Sequence, residues 1–309
     1  MTELYKKYRP KTFKSMIGQP QAVRILQNKL KNNKMPHSIL LSGPSGCGKT
    51  TLARILRRKL KCGKHDFTEL NCADFRGIEM VRDIRSHLYQ APIDGKCRIW
   101  LIDEAHKMTG DAQDAFLKML EDTPSHAYFM LATTEPQKLK KTIKTRCTEI
   151  VVKSLNSKLM VELLSRICKS EKVEIPEKVL DEIIENSEGS ARKALVLLDQ
   201  VIELDNEEDM IESIKATTTE IQSIAIARAL LDPRTEWKEM AKTLRETSDE
   251  DPERIRWMVL GYAKSVLLSG GKPSDRAYLM IDAFRDHFYD SKMAGVVAAC
   301  YEVIVGSKE

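Results

Sequence analysis

The chain has 309 residues, of which 42% are hydrophobic, and a formal net charge of +5 at pH 7. That length allows a sizeable core divided among two or three domains, so a disordered or fibrous chain is excluded. Because the net charge is small, any attraction to nucleic acid has to come from local basic patches.

Two further features of the composition favour a protein of the cytoplasm. The N-terminus lacks the apolar run of a signal peptide, and no stretch approaches the ~18 consecutive apolar residues of a membrane span. The cysteines are scattered and include no CxxC pair, which argues against a zinc module and suits a reducing compartment. We therefore predict a cytoplasmic protein with no membrane partner.

Short β-type runs alternate with helical patterns in the first half of the chain. The runs are Ser38–Ser42, Phe67–Asn71, Arg98–Asp103, Ala127–Thr133 and 148–152. Such alternation is typical of a parallel sheet covered by helices. We predict an α/β domain at residues 1–152, with a five-stranded parallel sheet and helices on both of its faces.

The second half of the chain shows only amphipathic helical patterns after residue 153. An acidic stretch at 203–212 divides this half into a small helical unit, 153–207, and an all-helical unit, 208–309. A solvated helix end would have the same acidic composition. Within the last unit, the Ser-Gly-Gly-Lys-Pro-Ser segment at 269–274 predicts a turn between long helices.

A glycine-rich segment between the first β-type run and a helix beginning near Thr51 has the pattern of a phosphate-binding loop. Its glycines let backbone N–H groups point at phosphate oxygens, and the following helix adds the positive end of its dipole. We expect Lys49 to reach the β- and γ-phosphates, and Thr50 to bind Mg²⁺. The segment predicts an ATP site formed by Gly43, Pro44, Ser45, Gly46, Cys47, Gly48, Lys49, Thr50 and Thr51.

Two adjacent carboxylates end the third β-type run, where open α/β sheets bind their ligands. We expect Asp103 to hold Mg²⁺ and Glu104 to polarise the water that attacks the γ-phosphate. In isolation, two acids at a strand end are as often a solvated loop. The phosphate loop is what favours the catalytic interpretation.

Four more polar residues are candidates for stabilising the charge that develops on the γ-phosphate. Thr133 and Thr134 end the fourth run, Arg146 precedes the fifth, and Arg192 begins a helix. Spacing alone favours a surface position or a helix cap for each arginine, so their functional interpretation depends on a family resemblance.

Seven ordered segments resemble the ATPase subunits of sliding-clamp loaders, which are AAA+ proteins such as the bacterial gamma/tau subunit and the small subunits of replication factor C. The similarity extends over about 200 residues. The segments are 8–13 with 17–19, 43–51, 70–82, 103–106, 131–134, 145–147 and 189–192. The resemblance implies an AAA+ domain, a helical lid at 153–207 and a helical collar at 208–309.

The same resemblance implies site residues that spacing leaves open. The adenine pocket would be lined by Tyr8, Arg9, Pro10, Ile17 and Gly18. Thr134 would hydrogen-bond near the γ-phosphate, and Arg192 would contact phosphate from the lid. Arg146 would be an arginine finger that completes the ATP site of a neighbouring subunit, although Thr145 stands where the family motif has serine.

A subunit that carries both an ATP site and a finger for its neighbour implies a ring-like oligomer. The resemblance implies a pentamer of clamp-loader subunits, with four copies of one chain and a different fifth subunit. ATP binding would open a sliding clamp and place it on primer–template DNA, and hydrolysis, stimulated by clamp and DNA, would release it. DNA phosphates would be held by Arg76, Arg82 and Lys107, for which solvated surface charge is an equal interpretation.

Departures from the family pattern bear on zinc and on origin. The segment after Cys62 is too short for the four-cysteine zinc module of bacterial gamma/tau subunits, so no zinc is expected. Residues 71–77 are more similar to replication factor C, and residues 132–138 are more similar to the bacterial proteins. This mixture would suit a bacteriophage protein acting in the cytoplasm of its bacterial host.

Two other functions compete with clamp loading. The first is a DNA-dependent motor for unwinding or branch migration, because the tetrapeptide at 103–106 also names a helicase group. That group needs a second RecA-like domain, whose motifs the helical remainder lacks. The second is a structural subunit that binds nucleotide without turnover, against which stands the presence of Lys49, Asp103, Glu104 and Arg146.

Overall fold

The computed structural model describes residues 3–247, 250–268 and 274–306. The chain divides into two compact units, Met1–Glu203 and Leu204–Glu309. Of the turn predicted at 269–274, residues 269–273 lie outside the described part. Among the described residues, no helix is long and apolar enough to cross a membrane.

The first unit contains a five-stranded parallel sheet. Its strands are β1 (Ser38–Ser42), β2 (Phe67–Asn71), β3 (Arg98–Asp103), β4 (Ala127–Thr133) and β5 (Thr148–Val151). Their order is β2-β3-β4-β1-β5, and every neighbouring pair is parallel. The predicted sheet is confirmed, with the last strand one residue shorter than its apolar run. Because the strands are parallel, the phosphate loop after β1 and the acidic pair at the end of β3 both lie at the carboxyl edge of the sheet. They lie close together there, since only β4 separates β1 from β3.

Helices cover both faces of this sheet, as predicted. They are α2 (Pro20–Lys31), α3 (Lys49–Lys59), α4 (Ile78–Leu88), α5 (Gly110–Glu121) and α6 (Lys141–Arg146), and the short helix α1 (Leu4–Lys7) precedes them in the chain. Successive residues of β1 serve opposite faces: Leu40 packs with α4 and α5, whereas Ile39 and Leu41 pack with α2 and α3. All three side chains are fully buried, which explains why the strand is a continuous apolar run.

Three further helices complete the first unit: α7 (Ser157–Glu171), α8 (Glu177–Ser187) and α9 (Ala191–Val201). Asn156 caps α7 by accepting a hydrogen bond from Leu159 N at 2.9 Å, and Ser190 caps α9 through Lys193 N at 3.3 Å. Leu155, which precedes α7, donates through its backbone N–H to the carbonyl of Gly189, which precedes α9, at 2.9 Å. This bond joins the segments that lead into the two helices.

The second unit is helical throughout its described residues. Its helices are α10 (Glu207–Leu231), α11 (Trp237–Glu246), α12 (Pro252–Leu268), α13 (Ser274–Ala283) and α14 (Lys292–Val305). Part of the acidic stretch, Glu207, Glu208 and Asp209, forms the first turn of α10, which Asn206 caps through Glu208 N at 3.1 Å. The α/β-then-helical fold class is thereby confirmed. The division into three domains at 152/153 and 207/208 stays a prediction.

Candidate nucleotide-binding site

The loop between β1 and α3 has a backbone that only glycine adopts without strain. Gly43 has φ +146° and Gly46 has φ +71°. A Cβ at Gly43 would lie 2.0 Å from the Val152 carbonyl oxygen, and one at Gly46 would lie 2.1 Å from Ser190 Oγ. The two glycines are therefore required by the close approach of Val152 and Ser190 as well as by the backbone conformation of the loop. Helix α3 begins at Lys49, two residues before the predicted start.

Lys49 is held inside this loop. Its ammonium donates to the carbonyl oxygens of Gly43 and Pro44, each at 2.8 Å, and only 6% of the residue is exposed. Burial lowers the pKa of Lys49, while the nearby carboxylates of Glu104 and Asp103 oppose that shift. The lysine therefore occupies a partly desolvated position from which it can exchange two carbonyl acceptors for phosphate oxygens.

Thr50, Asp103 and Glu104 are brought together at the carboxyl edge of the sheet. Thr50 Oγ1 donates to Asp103 Oδ2 at 3.0 Å, and Glu104 N donates to Asp103 Oδ1 at 3.0 Å. A hydroxyl and a carboxylate oxygen so close together form a donor set that suits Mg²⁺. Glu104 has a left-handed backbone with φ 51°, an uncommon conformation for a residue with a side chain. That conformation turns the chain immediately after the strand, at the edge of the site.

His106 contacts the proposed catalytic glutamate, and the sequence analysis missed it. Its Nδ1 lies 3.4 Å from Glu104 Oε2 and 3.1 Å from Thr133 Oγ1, and its Nε2 lies 3.3 Å from Glu135 Oε1. Burial lowers the pKa of His106 against the opposing pull of the two carboxylates. The signal was the histidine in the segment 103–106, which served as a family and helicase motif without a role being assigned to His106.

A cavity of about 190 Å³ lies between the phosphate loop with Asp103 and Glu104 on one side, and the N-terminal segment with helices α7 and α9 on the other. It brings together most of the predicted site residues, namely Tyr8, Arg9, Pro10, Ile17, Ser45, Gly46, Cys47, Gly48, Lys49, Thr50, Thr51, Asp103, Glu104 and Arg192. It is also lined by residues that the sequence analysis missed, which are Tyr5, Ser15, Met16, Leu155, Leu163, Arg166, Ile167, Ala191 and Leu195. A polar end with a mainly apolar remainder is the usual composition of a ligand pocket.

Some predicted residues lie outside the lining of this cavity. Gly18 packs against the lining residue Leu155, because a Cβ at Gly18 would lie 2.1 Å from Leu155 Cδ2. Gly43 and Pro44 contribute the carbonyls that hold Lys49. Thr134 is half-buried beside Thr133, whose hydroxyl contacts His106 and accepts a hydrogen bond from Glu135 N at 3.0 Å. The contact of Thr134 with the γ-phosphate therefore stays a prediction.

The two predicted arginines occupy different surroundings. Arg192 N donates to the Gly46 carbonyl at 3.3 Å, so the start of α9 is bonded directly to the phosphate loop. Arg146 is exposed at the end of α6, outside the cavity of its own chain. Its guanidinium pairs with Glu121 and donates to the Thr142 carbonyl at 3.1 Å. Arg192 therefore adjoins the phosphate loop of its own chain and Arg146 does not, while the phosphate contact of the first and the finger role of the second stay predictions.

The three predicted DNA contacts are exposed in the first unit. The Arg76 carbonyl accepts a hydrogen bond from Thr109 N at 3.0 Å, so the segments that carry Arg76 and Lys107 adjoin. Within the described part of the chain, the side chains of Arg76, Arg82 and Lys107 make no ion pair or hydrogen bond. Their charges are available to a partner, and a role in DNA binding stays a prediction.

The parallel sheet, the phosphate loop after β1, the acids that end β3 and the helices that follow define an AAA+ ATPase fold. The family model described as DNA polymerase III, delta subunit, matches residues 18–80 and 73–156. A second model, the RCF1/5-like AAA+ ATPase lid domain, matches residues 162–200, which lie in the α7–α9 region. The chain thus has the fold of an AAA+ ATPase, and its residues 162–200 are similar to a lid domain of the RCF1/5-like kind.

Several curated relatives are subunits of DNA polymerase III. The chain is 35% identical to subunit gamma/tau of Mycobacterium tuberculosis H37Rv over 222 residues, covering 64% of this chain and 38% of the relative. It is 30% identical to subunit tau of Bacillus subtilis over 328 residues, covering 97% of this chain and 58% of the relative. The chain thus spans less than two thirds of these relatives. The resemblance to clamp-loader ATPase subunits is confirmed, while a bacteriophage origin stays a prediction, since the relatives named here are bacterial.

Solved structures with a similar fold include a branch-migration motor. The Thermotoga maritima RuvB Holliday junction branch migration motor superposes with a TM-score of 0.59 at 20% identity, covering 85% of this chain and 91% of that chain. A variant form of the same protein gives a TM-score of 0.59 at 20% identity, covering 77% of this chain and 85% of that chain. At this identity the similarity shows a shared fold and nothing about shared activity.

Proposed function

We propose that this chain is an ATPase subunit of a DNA sliding-clamp loader. ATP binding would open a processivity clamp and place it on primer–template DNA, and ATP hydrolysis would release it. The observation that carries the proposal is the cavity that joins the phosphate loop, Asp103–Glu104 and Arg192. The relatives, which are DNA polymerase III gamma/tau subunits, favour replication in the cytoplasm as the setting.

The chemistry assigned to the site follows from its donors. The loop amides and Lys49 bind the phosphates, with the lysine exchanging its carbonyl acceptors for phosphate oxygens. Thr50 and Asp103 would hold Mg²⁺, which neutralises charge on the phosphate oxygens when bound. Glu104 lies at the end of β3 next to these groups, where it orients and polarises the attacking water. Arg192 contacts phosphate from the lid side.

A neighbouring subunit would complete the site with Arg146. An arginine outside its own cavity, restrained by one exposed ion pair with Glu121 and one carbonyl, can be redirected to a phosphate on another chain at small cost. This arrangement implies a ring in which each subunit receives a finger and donates one. The proposed assembly is a pentamer of clamp-loader subunits, with four copies of this chain and a different fifth subunit.

The rival function is a DNA-dependent motor, which the RuvB-like fold keeps under consideration. Its support is a fold similarity at 20% identity, whereas the relatives with 30–35% identity are DNA polymerase III subunits. A structural subunit without turnover is the other alternative. Against it, Lys49, Thr50, Asp103 and Glu104 are assembled in one place.

ATP turnover of the assembled complex separates these functions when it is measured alone, with primed DNA, with the clamp, and with both. A clamp loader has low basal turnover and a synergistic increase when both partners are present. Turnover stimulated by DNA alone, accompanied by strand separation or branch migration, contradicts clamp loading. Nucleotide binding without turnover in all four conditions identifies a structural subunit.

A further inference from the structure

The guanidinium of Arg192 lies over the ring of Tyr5, with the guanidinium carbon 4.7 Å from the ring centroid. Both residues line the nucleotide cavity. Tyr5 is half-buried, and it belongs to the short helix α1 near the N-terminus. No motif used in the sequence analysis includes Tyr5, so its contact with Arg192 is visible only in the structure.

Helix α1 is bound to the helices of the lid. It packs against α9, which carries Arg192, and its Leu4 is buried. Lys7 Nζ donates to Glu171 Oε2 at 2.9 Å, which ties α1 to the end of α7. Tyr5 is therefore held next to the helix that carries Arg192.

A guanidinium stacked on a ring keeps its hydrogen-bonding edge available. The ring attracts the face of the planar cation, whereas all five N–H groups of arginine lie in the plane and point outward. Arg192 can thus rest on Tyr5 and bind phosphate with its edge at the same time. Restricting its rotamers beforehand reduces the entropy lost when phosphate binds.

The phosphate loop lies within reach of this arrangement. Arg192 N is bonded to the Gly46 carbonyl at 3.3 Å, which places the arginine backbone against the middle of the loop. Other cations of the cavity face different partners: the ammonium of Lys49 lies on the Gly43 and Pro44 carbonyls. Arg192 is therefore a cation of the cavity whose own backbone is bonded to the phosphate loop.

We propose that Tyr5 is a positioning residue for Arg192, whose guanidinium it holds over the cavity so that the site prefers a nucleoside triphosphate to a diphosphate. This inference rests on the proposed function, because it requires nucleotide in the cavity. The role belongs to the ring and not to the hydroxyl. It predicts that Tyr5→Phe keeps the preference and that Tyr5→Leu reduces it.

The test is a double-mutant cycle on nucleotide affinity, using the full chain, Mg²⁺, a non-hydrolysable ATP analogue and ADP. Tyr5→Leu is expected to weaken the analogue by about two- to fivefold, the range of a partly exposed cation–π contact, and to weaken ADP less. In the Arg192→Ala background, Tyr5→Leu is expected to have no further effect on the ratio. Tyr89→Leu, which removes an exposed tyrosine that does not line the cavity, serves as the matched control.

Two results overturn the inference while leaving the proposed function intact. One is an equal loss for both nucleotides that persists in the Arg192→Ala background, since the ring would then contact the base. The other is an unchanged ratio in Tyr5→Leu. If the wild-type chain binds neither nucleotide, the proposed function fails instead.

Should Tyr5→Leu fail to fold, the wild-type chain provides a second measurement. The Arg192 Nε–H resonance is expected to carry a ring-current shift that survives in Tyr5→Phe and remains after the ATP analogue binds. Loss of that shift on binding means that the guanidinium leaves the ring, and the positioning role is then wrong.

Discussion

The two walls of the nucleotide cavity are built in different ways. The phosphate wall is built mainly on backbone, from the loop of glycines, the start of α3 and the ends of the buried strands β1 and β3, and these elements carry the side chains of Lys49, Thr50 and Asp103. The lid wall is made of side chains from segments far apart in the chain, such as Tyr5, Leu163 and Arg192. Backbone and buried strands leave few alternative arrangements, whereas a wall of side-chain contacts can open and close. The phosphate wall is suited to binding a ligand in one fixed geometry, and the lid wall is suited to changing its conformation when the ligand is present.

The largest expected effect comes from removing the cation of the phosphate wall. Lys49→Ala deletes the ammonium that faces the loop, so nucleotide binding measured by fluorescence titration is expected to be abolished. The matched control is Lys59→Ala, at the exposed far end of the same helix. Equal loss of binding in both variants would show that helix stability, and not phosphate contact, is responsible.

Arg146 belongs to neither wall, and its substitution tests whether the site needs a second chain. Arg146→Ala is expected to retain nucleotide binding and to lower turnover in the assembled complex by about 10³-fold, the lower range for an arginine finger. Mixed with Lys49→Ala, it is expected to recover part of the turnover, because some interfaces then combine an intact loop with an intact finger. Absence of recovery, or normal turnover of Arg146→Ala alone, contradicts action between subunits.

Gly43→Ala tests how rigid the phosphate wall is. The added Cβ would meet the Val152 carbonyl at 2.0 Å, at a backbone φ of +146° that favours glycine. We expect a loss of about 1–3 kcal/mol in the free energy of unfolding, measured with urea. Gly261→Ala, which meets nothing within 4 Å, is the control and should be neutral or stabilising. A wild-type stability for Gly43→Ala would mean that this wall yields more than its contacts indicate.

The smallest effect is expected at the edge of the lid wall. Lys7→Ala removes the ion pair with Glu171, in which the lysine side chain is half-exposed, so nucleotide affinity should fall by less than about twofold. Because salt screens exposed pairs, the difference from wild type should vanish at high ionic strength. A loss that is large and independent of salt would show that the lid wall is as rigid as the phosphate wall.

The same contrast explains which parts of the site the sequence predicts. Gly43–Thr51 and Asp103–Glu104 are local patterns whose spacing follows from strand, loop and helix, and the structure brings them together. Tyr5, Met16 and Leu163 face the cavity because distant segments pack together, and no local spacing records that packing. His106 was visible in the sequence, but its contacts with Thr133 and Glu135 depend on neighbouring strands. The roles of Thr134 and Arg146 involve a phosphate and a second chain, so one chain alone leaves them open.

The bonds of Lys49 to the Gly43 and Pro44 carbonyls also have a consequence for product release. The ammonium of a lysine residue that is only 6% exposed would be strongly destabilised if a nucleotide departed and left it without acceptors. Here two carbonyls at 2.8 Å take over, so the nucleotide-free loop is satisfied internally. The loop can thus stay folded around Lys49 without a bound nucleotide.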